Sequence, residues 1–175
     1  MNRKIYLLTF LALMMVLQSI GQESTKEETF KRSFGLSGSI QGNQFGILIP
    51  IWLGQKFVIA PSFEIKIAES IGGDYSFGLS PRYYFKTEKL SPYAGLKIGT
   101  LLNTLTSENE NSSTVKIDYL FGLAFGAEYF LSNNFSFGVE AQANMTKSDE
   151  NSYRFGNPGG IVFNTGTMIT ASVYF

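Results

Sequence analysis

The sequence predicts an all-β fold, an eight-stranded antiparallel up-and-down barrel, and three observations carry that prediction. The first is a hairpin of strict period two. In VKIDYLFGLAFGAEYF, residues 115–130, Val115, Ile117, Tyr119, Phe121, Leu123, Phe125, Ala127 and Tyr129 share one parity. Lys116, Asp118, Leu120, Gly122, Ala124, Gly126, Glu128 and Phe130 share the other. After LSNN the alternation resumes, with Phe135, Phe137, Val139, Ala141 and Ala143 against Ser136, Gly138, Glu140, Gln142 and Asn144. Successive side chains point to opposite faces of a strand, so this is a β-hairpin with one apolar face. The second observation is an inversion. Every charge shares its face with glycines, which suits a narrow polar interior and an apolar exterior, the pattern of a barrel that spans a membrane. The third is repetition, because six further segments obey the same parity.

Taken in order, residues 33–41 set Phe34, Leu36 and Ile40 against Ser33, Gly35, Ser37 and Ser39. Residues 45–53 point Phe45, Ile47, Ile49, Ile51 and Leu53 outward. In 56–67, Phe57, Ile59, Pro61, Phe63, Ile65 and Ile67 face out and Ala60, Ser62, Glu64 and Lys66 face in. In 74–85, Tyr75, Phe77, Leu79, Tyr83 and Phe85 face out, with Ser76, Gly78, Ser80 and Arg82 in. Residues 92–101 give Ala94, Leu96 and Ile98 out and Gly95, Lys97 and Gly99 in. The hairpin supplies the sixth and seventh strands. Residues 161–175 are the eighth, with Ile169, Ala171, Val173 and Phe175 out and Gly166, Met168, Thr170 and Ser172 in. Most of these segments are 9 to 15 residues long, enough for a tilted strand to cross a bilayer.

Short connections at 53–55, 86–91 and 131–134 alternate with longer or more polar ones at 68–73, 103–114 and 147–160; only 41–44 is brief on that side. Short periplasmic turns and long outer loops are the habit of such barrels, and an even strand number returns both termini to one side. Pro50, Pro61 and Pro81 oppose a closed sheet, because proline cannot donate to a ladder. All three lie near the short turns, where bulges at the rim would accommodate them.

Residues 1–21 form a secretory signal peptide: Arg3 and Lys4, then a twelve-residue apolar run over 5–16, then small residues ending at Gly21. The run is too short for a spanning helix, which needs about 20 residues. Residues 22–32 are a polar leader and 33–175 the barrel. Charged residues make up 16% of the chain, against the usual quarter or so. The 14 bases balance the 14 acids, which leaves no electrostatic footprint for nucleic acid. Without cysteine there is no disulfide, thiolate nucleophile or lipid-anchored cysteine.

At LSPRYYF (79–85), PYAGLKIG (92–99) and EYFLSNNFSFGVEA (128–141) the chain resembles the small outer-membrane β-barrel proteins common in Bacteroidetes-type bacteria. More broadly, it is similar to the OmpA transmembrane domain and to OmpX-like eight-stranded barrels. The resemblance implies the outer membrane of a Gram-negative bacterium, contact with its lipid, and a monomer. Phe175, with Val173 and Ala171 at alternate positions before it, resembles the terminal signal read by the barrel assembly machinery, a partner during biogenesis. Barrels on this scaffold that act on lipid A, of the palmitoyltransferase and deacylase types, use a catalytic histidine. This chain has no histidine, hence no imidazole to take and return a proton near neutral pH, and the expectation is no enzyme. Glu108, Glu110, Asp149 and Glu150 offer loop oxygens of the kind hard cations take, but without EF-hand spacing. No metal or cofactor is expected.

Aromatics near the strand ends (Phe57, Tyr83, Phe85, Tyr129 and Phe135 below; Phe45, Tyr75 and Tyr119 above) suit interfacial girdles, while Tyr153 and Phe155 belong to the last loop. Eight strands leave an interior just wide enough for side chains or one small ligand. Parity sends Lys66, Arg82, Lys97 and Lys116 into it together with Glu64, Asp118, Glu128 and Glu140. A balanced set is what a confined interior needs, since an unpaired charge there is costly. Lys97 is expected against Glu128 or Glu140. The function that follows is structural or surface-interacting, through loops 103–114 and 147–160 and an outer ligand of unspecified kind; a narrow pore for small ions or solutes is the alternative. N-terminal sequencing of the mature protein should begin at Gln22, and an intact Met1 in the cell envelope would refute the signal peptide.

Overall fold

A computed structural model describes residues 32–68, 72–104, 115–153 and 155–175. Their strands are β1 (Gly35–Gln41), β2 (Gln44–Leu48), β3 (Ile51–Trp52), β4 (Phe57–Ala68), β5 (Gly72–Tyr84), β6 (Leu90–Thr104), β7 (Val115–Phe130), β8 (Phe135–Lys147) and β9 (Ile161–Tyr174). β2 and β3 are two pieces of one stave, both paired with β4, so the nine segments make eight staves. Every pairing is antiparallel between chain neighbours, and β1 pairs with β9 to close the ring. The seam runs from Gly35 opposite Tyr174 to Ile40 opposite Ile169. It continues past the strand ends: Ser33 N donates to Phe175 O at 3.1 Å, Phe175 N donates to Phe34 O at 2.9 Å, and the two phenyl rings stack 5.3 Å apart. Closure matters because an open edge would leave unpaired amides with no water in a lipid phase.

The apolar side is the outside. Leu36, Ile47, Phe77, Ile98, Phe125, Val139 and Ile169 are exposed, while Ser62, Ser80, Arg82, Lys97, Glu128, Glu140 and Thr170 are buried. An interior in which serines and charges outnumber the apolar side chains removes little apolar area from water on folding. The free energy comes from backbone hydrogen bonds and from a lipid-facing surface that a bilayer solvates.

The bulges expected at the prolines are not there. Ser37 pairs with Leu48 above Pro50 and Phe34 pairs with Ile51 below it, in one register. Pro61 sits opposite Leu79, and Pro81 opposite Ile59, in an unbroken β4–β5 ladder. On the β6 side the pairing lapses at Ser80 and Pro81, then resumes at Arg82–Gly95 in the register set by Leu79–Ile98. Each proline simply forgoes a donor, and the carbonyls of two stay in use: Gly35 N donates to Pro50 O (2.8 Å) and Ile49 N to Pro61 O (2.9 Å). One lost hydrogen bond costs about 1 kcal/mol. A slip of one residue would turn every side chain to the wrong face, so the register holds.

Other boundaries shift modestly. β6 and β8 run on to Thr104 and Lys147, shortening the last loop to 148–160, which Ser148 N ties at its base to Gly160 O. β1 and β2 join through Gly42-Asn43, with Gly42 at φ 59°, the position where a tight hairpin takes glycine. The signal peptide over 1–21, the leader up to residue 31 and most of loop 103–114 lie outside the described residues. An unboiled detergent sample should migrate differently from a boiled one on a denaturing gel and give a β-type circular dichroism spectrum. Folded protein recovered in the aqueous phase without detergent would contradict an apolar exterior.

Candidate functional site

Among the described residues the lumen gathers most of the buried polar side chains, and it is layered. Its floor, at the end of the barrel where β1 begins and β9 ends, is aromatic. Trp52 lies 4.8 Å from Tyr84 and 6.2 Å from Tyr174 between ring centres, Tyr84 lies 5.0 Å from Tyr93, and Phe130 lies 5.7 Å from Tyr174. The Arg32 guanidinium sits 3.6 Å from the centre of the Phe130 ring, a cation–π contact at the mouth. Burial lowers the Arg32 guanidinium from its ordinary value, and the Glu128 carboxylate is the chief influence raising it again. Glu128 accepts from Tyr84 Oη and Tyr174 Oη, both at 2.6 Å, and from the Ser136 hydroxyl. Hydrogen bonds to an ionised carboxylate are about twice as strong as neutral ones, so three hydroxyls can hold a buried charge.

The middle layer is two ion pairs. Arg82 Nη2 stands 3.0 Å from Glu140 Oε2, with both side chains over nine-tenths buried. The pair bridges β5 to β8, three staves away around the ring. Tyr93 Oη donates to Glu140 at 2.9 Å and its ring lies 4.9 Å from the Arg82 guanidinium carbon. Lys97 Nζ stands 3.1 Å from Glu64 Oε1, and Glu64 also accepts from Gln44 and, at 3.5 Å, from Ser76. Gln142 joins the pairs, donating to Glu140 Oε1 at 2.7 Å and accepting from Lys97 at 3.5 Å and Asn144 at 3.3 Å. Glycine makes the room: a Cβ on Gly126 would come within 2.5 Å of the Tyr93 ring, and one on Gly122 within 2.2 Å of Asn144 Oδ1.

The upper layer meets the loops. Asp118, wholly buried, accepts from Asp149 N at 2.8 Å and from Ser152 Oγ at 2.9 Å, so it fixes loop 148–160 over the mouth. Lys116 is half-buried, 6.0 Å from the Tyr153 ring, and Lys66 is half-buried opposite Asp74 in the ladder. Asp149 turns its carboxylate to Asn151 N at 2.8 Å, a local turn contact. Glu108 and Glu110 lie outside the described residues.

Lys97 therefore faces Glu64 and not Glu128 or Glu140. Along the ladder rows the row of Glu140 reaches β6 at Tyr93 and the row of Glu64 reaches it at Leu101, each four residues from Lys97. Register alone leaves a tie. Strand tilt, which raises one neighbouring row and lowers the other around a closed barrel, breaks it. Sequence reading missed the floor, although parity carried the signal: Tyr84 shares a face with Arg82, Tyr93 with Lys97, and Tyr174 with Ser172.

No family model and no curated protein sequence matches the chain. Solved structures do. The N-terminal β-barrel domain of Pseudomonas aeruginosa OprF is similar at a TM-score of 0.60 and 15% identity, over 81% of this chain and 95% of that one. Neisserial surface protein A is similar at 0.57 and 15% identity, over 81% and 93%. At this identity the likeness is one of fold.

Removing one partner of a buried pair leaves the other charge uncompensated, which costs about 3–5 kcal/mol. Glu140→Gln should lower the unfolding free energy by about 3 kcal/mol, and adding Arg82→Met should restore much of it. Lys97→Met should couple strongly to Glu64→Gln and weakly to Glu140→Gln. Urea titrations in vesicles, read by gel mobility as a double-mutant cycle, check both pairings; a strong Lys97–Glu140 coupling would contradict them.

Proposed function

We propose that this chain, which shares its fold with small outer-membrane barrels, is a non-enzymatic integral barrel of a Gram-negative outer membrane, a closed scaffold that presents its outer loops. The observation that carries this reading is the bridged lumen. Arg82–Glu140 and Lys97–Glu64, joined through Gln142, span the tube at mid-height above an aromatic floor. An ion entering that section would have to displace a buried pair, and the width of an eight-stranded barrel offers no path around it. The outer end supports a presenting role, since Asp118 pins loop 148–160 while Tyr153 stands 71% exposed on it. One of the structural neighbours, neisserial surface protein A, is a surface protein, which agrees with this assignment. Phe175, at the seam that closes the ring, is the residue we assign to recognition by the assembly machinery. We read the chemistry of the lumen as structural: the chain has no imidazole, and the described lumen carboxylates Glu64, Asp118, Glu128 and Glu140 are each held by partners.

Planar-bilayer recording decides between scaffold and pore. The refolded wild type should show no steady open level, and Glu140→Gln should raise small-ion conductance from that baseline. A wild type that conducts steadily, with Glu140→Gln unchanged, would replace the scaffold with a pore.

A further inference from the structure

The outer wall is not evenly filled. Toward the end that carries loop 148–160, the register sets Phe121, Met145 and Phe163 in one row and Leu123, Ala143 and Thr165 in the next. Large side chains thus flank a small one, and Phe163 projects far enough to be 77% exposed. Between them lies a trough of about 530 Å³, lined among others by Phe121, Leu123, Ala143, Met145 and Phe163. That volume falls within the roughly 300–1,000 Å³ of pockets that hold whole small molecules. The row beneath, Phe125, Ala141 and Thr167, prolongs the same large–small pattern along the strands. Directly above, the row Tyr119, Lys147 and Ile161 sets an ammonium at the rim. Lys147 is exposed and donates to the Gly159 carbonyl, which uses one of the three donors an ammonium has.

We propose that this trough is a lipid site, holding an acyl chain of a phosphate-bearing lipid of the outer leaflet with its phosphate on Lys147. The inference rests on the membrane reading above. Three features select this occupant. The walls are mostly apolar, with Asn144, Asn164 and Thr165 the polar residues among them, and lie in the lipid-facing band, which suits a hydrocarbon chain. The cation stands at the headgroup end of the trough, where charge complements a phosphate. The outward hydroxyls of Thr165 and Thr167 come next down β9, four and six residues past Ile161, roughly 13–20 Å along the strand at about 3.3 Å per residue. A lipid's esters lie only a few bonds below its phosphate, so at that depth the neighbour is hydrocarbon, and these short side chains leave it room beside Phe163. A partner strand is disfavoured, because β7, β8 and β9 are each paired on both sides and offer no edge.

The test reconstitutes the full mature protein in phosphatidylcholine vesicles with a trace of lipid carrying a nitroxide on its acyl chain. Electron paramagnetic resonance then measures the motionally restricted fraction for phosphatidic acid and for phosphatidylcholine. The wild type should hold phosphatidic acid about five-fold more than phosphatidylcholine, the equivalent of about 1 kcal/mol per basic residue near an anionic surface. Lys147→Gln should erase that preference while a restricted chain persists. Ala143→Leu, which fills the trough, should remove the restricted chain for both headgroups. Phe163→Ala removes a wall and should do the same, and it serves if Ala143→Leu does not fold. Heat-shifted gel mobility is scored for each variant, so a chain that is no membrane barrel fails there and not in the lipid measurement. Equal retention of the two lipids by the wild type would overturn the site. So would an undiminished restricted fraction in a folded Ala143→Leu or Phe163→Ala barrel, or a dimer cross-linked through Ala143→Cys, which would give the trough to a second copy.

Discussion

Arg82 and Glu140 meet at 3.0 Å from staves three places apart, and much of the sequence is arranged to let them do so. A wall that is apolar outside must carry its polar residues inside, in a tube about one side chain across. Charges there are desolvated, and desolvation is recovered only through close partners and further hydrogen bonds. Tyr93 and Gln142 supply those bonds to Glu140, and Gln142 passes the constraint on to Lys97 and so to Glu64. The inward glycines belong to the same requirement. Gly126 yields its volume to the Tyr93 ring and Gly122 to Asn144, so the long polar chains can lie across the axis.

The floor solves the same problem with different groups. Glu128 has hydroxyls from Tyr84, Tyr174 and Ser136 where Lys97 was expected. The tyrosines do two things there, burying ring area against Trp52 and Phe130 and turning their polar tips to the carboxylate. Arg32 arrives from outside the strands and sits on the Phe130 ring. At the opposite end Asp118 binds a loop and no lysine, so a lumen charge becomes the anchor of the outer surface. At each end of the tube a carboxylate thus gathers neutral donors, while the middle is bridged by the Arg82–Glu140 and Lys97–Glu64 pairs.

Inside and outside are coupled through the strand period. The alternation that sends Glu140 and Gln142 inward sends Ala141 and Ala143 outward on β8. Small residues on the outer face cost nothing in a lipid phase and leave the trough beside Phe121 and Phe163. The prolines follow the same rule from another side. Losing one donor at Pro50, Pro61 or Pro81 is a local cost, whereas a bulge would exchange the two faces of everything beyond it.

Face assignment was legible in the sequence because it depends only on the residue spacing of a strand. Parity alone put Glu64, Arg82, Lys97, Asp118, Glu128 and Glu140 in the interior and Phe77, Ile98, Phe121 and Val139 outside, where the structure has them. The turns at 41–44, 53–55 and 131–134 were legible for the same local reason, within a residue of their place in the structure. Parity also contained Trp52, Tyr84, Tyr93 and Tyr174, but an aromatic on a polar face reads as an irregularity until four of them are seen to converge. Partnership was not legible. Lys97 lies four residues from the rows of both Glu64 and Glu140, and no sequence pattern separates the two. Asp118 took backbone and hydroxyl donors from a loop 31 and 34 residues further along the chain. The sequence by itself determined which way each side chain points, because that is set by neighbours along one strand. Only the tertiary structure decided what each one touches, because contacts across the lumen depend on the tilt and closure of all eight staves together.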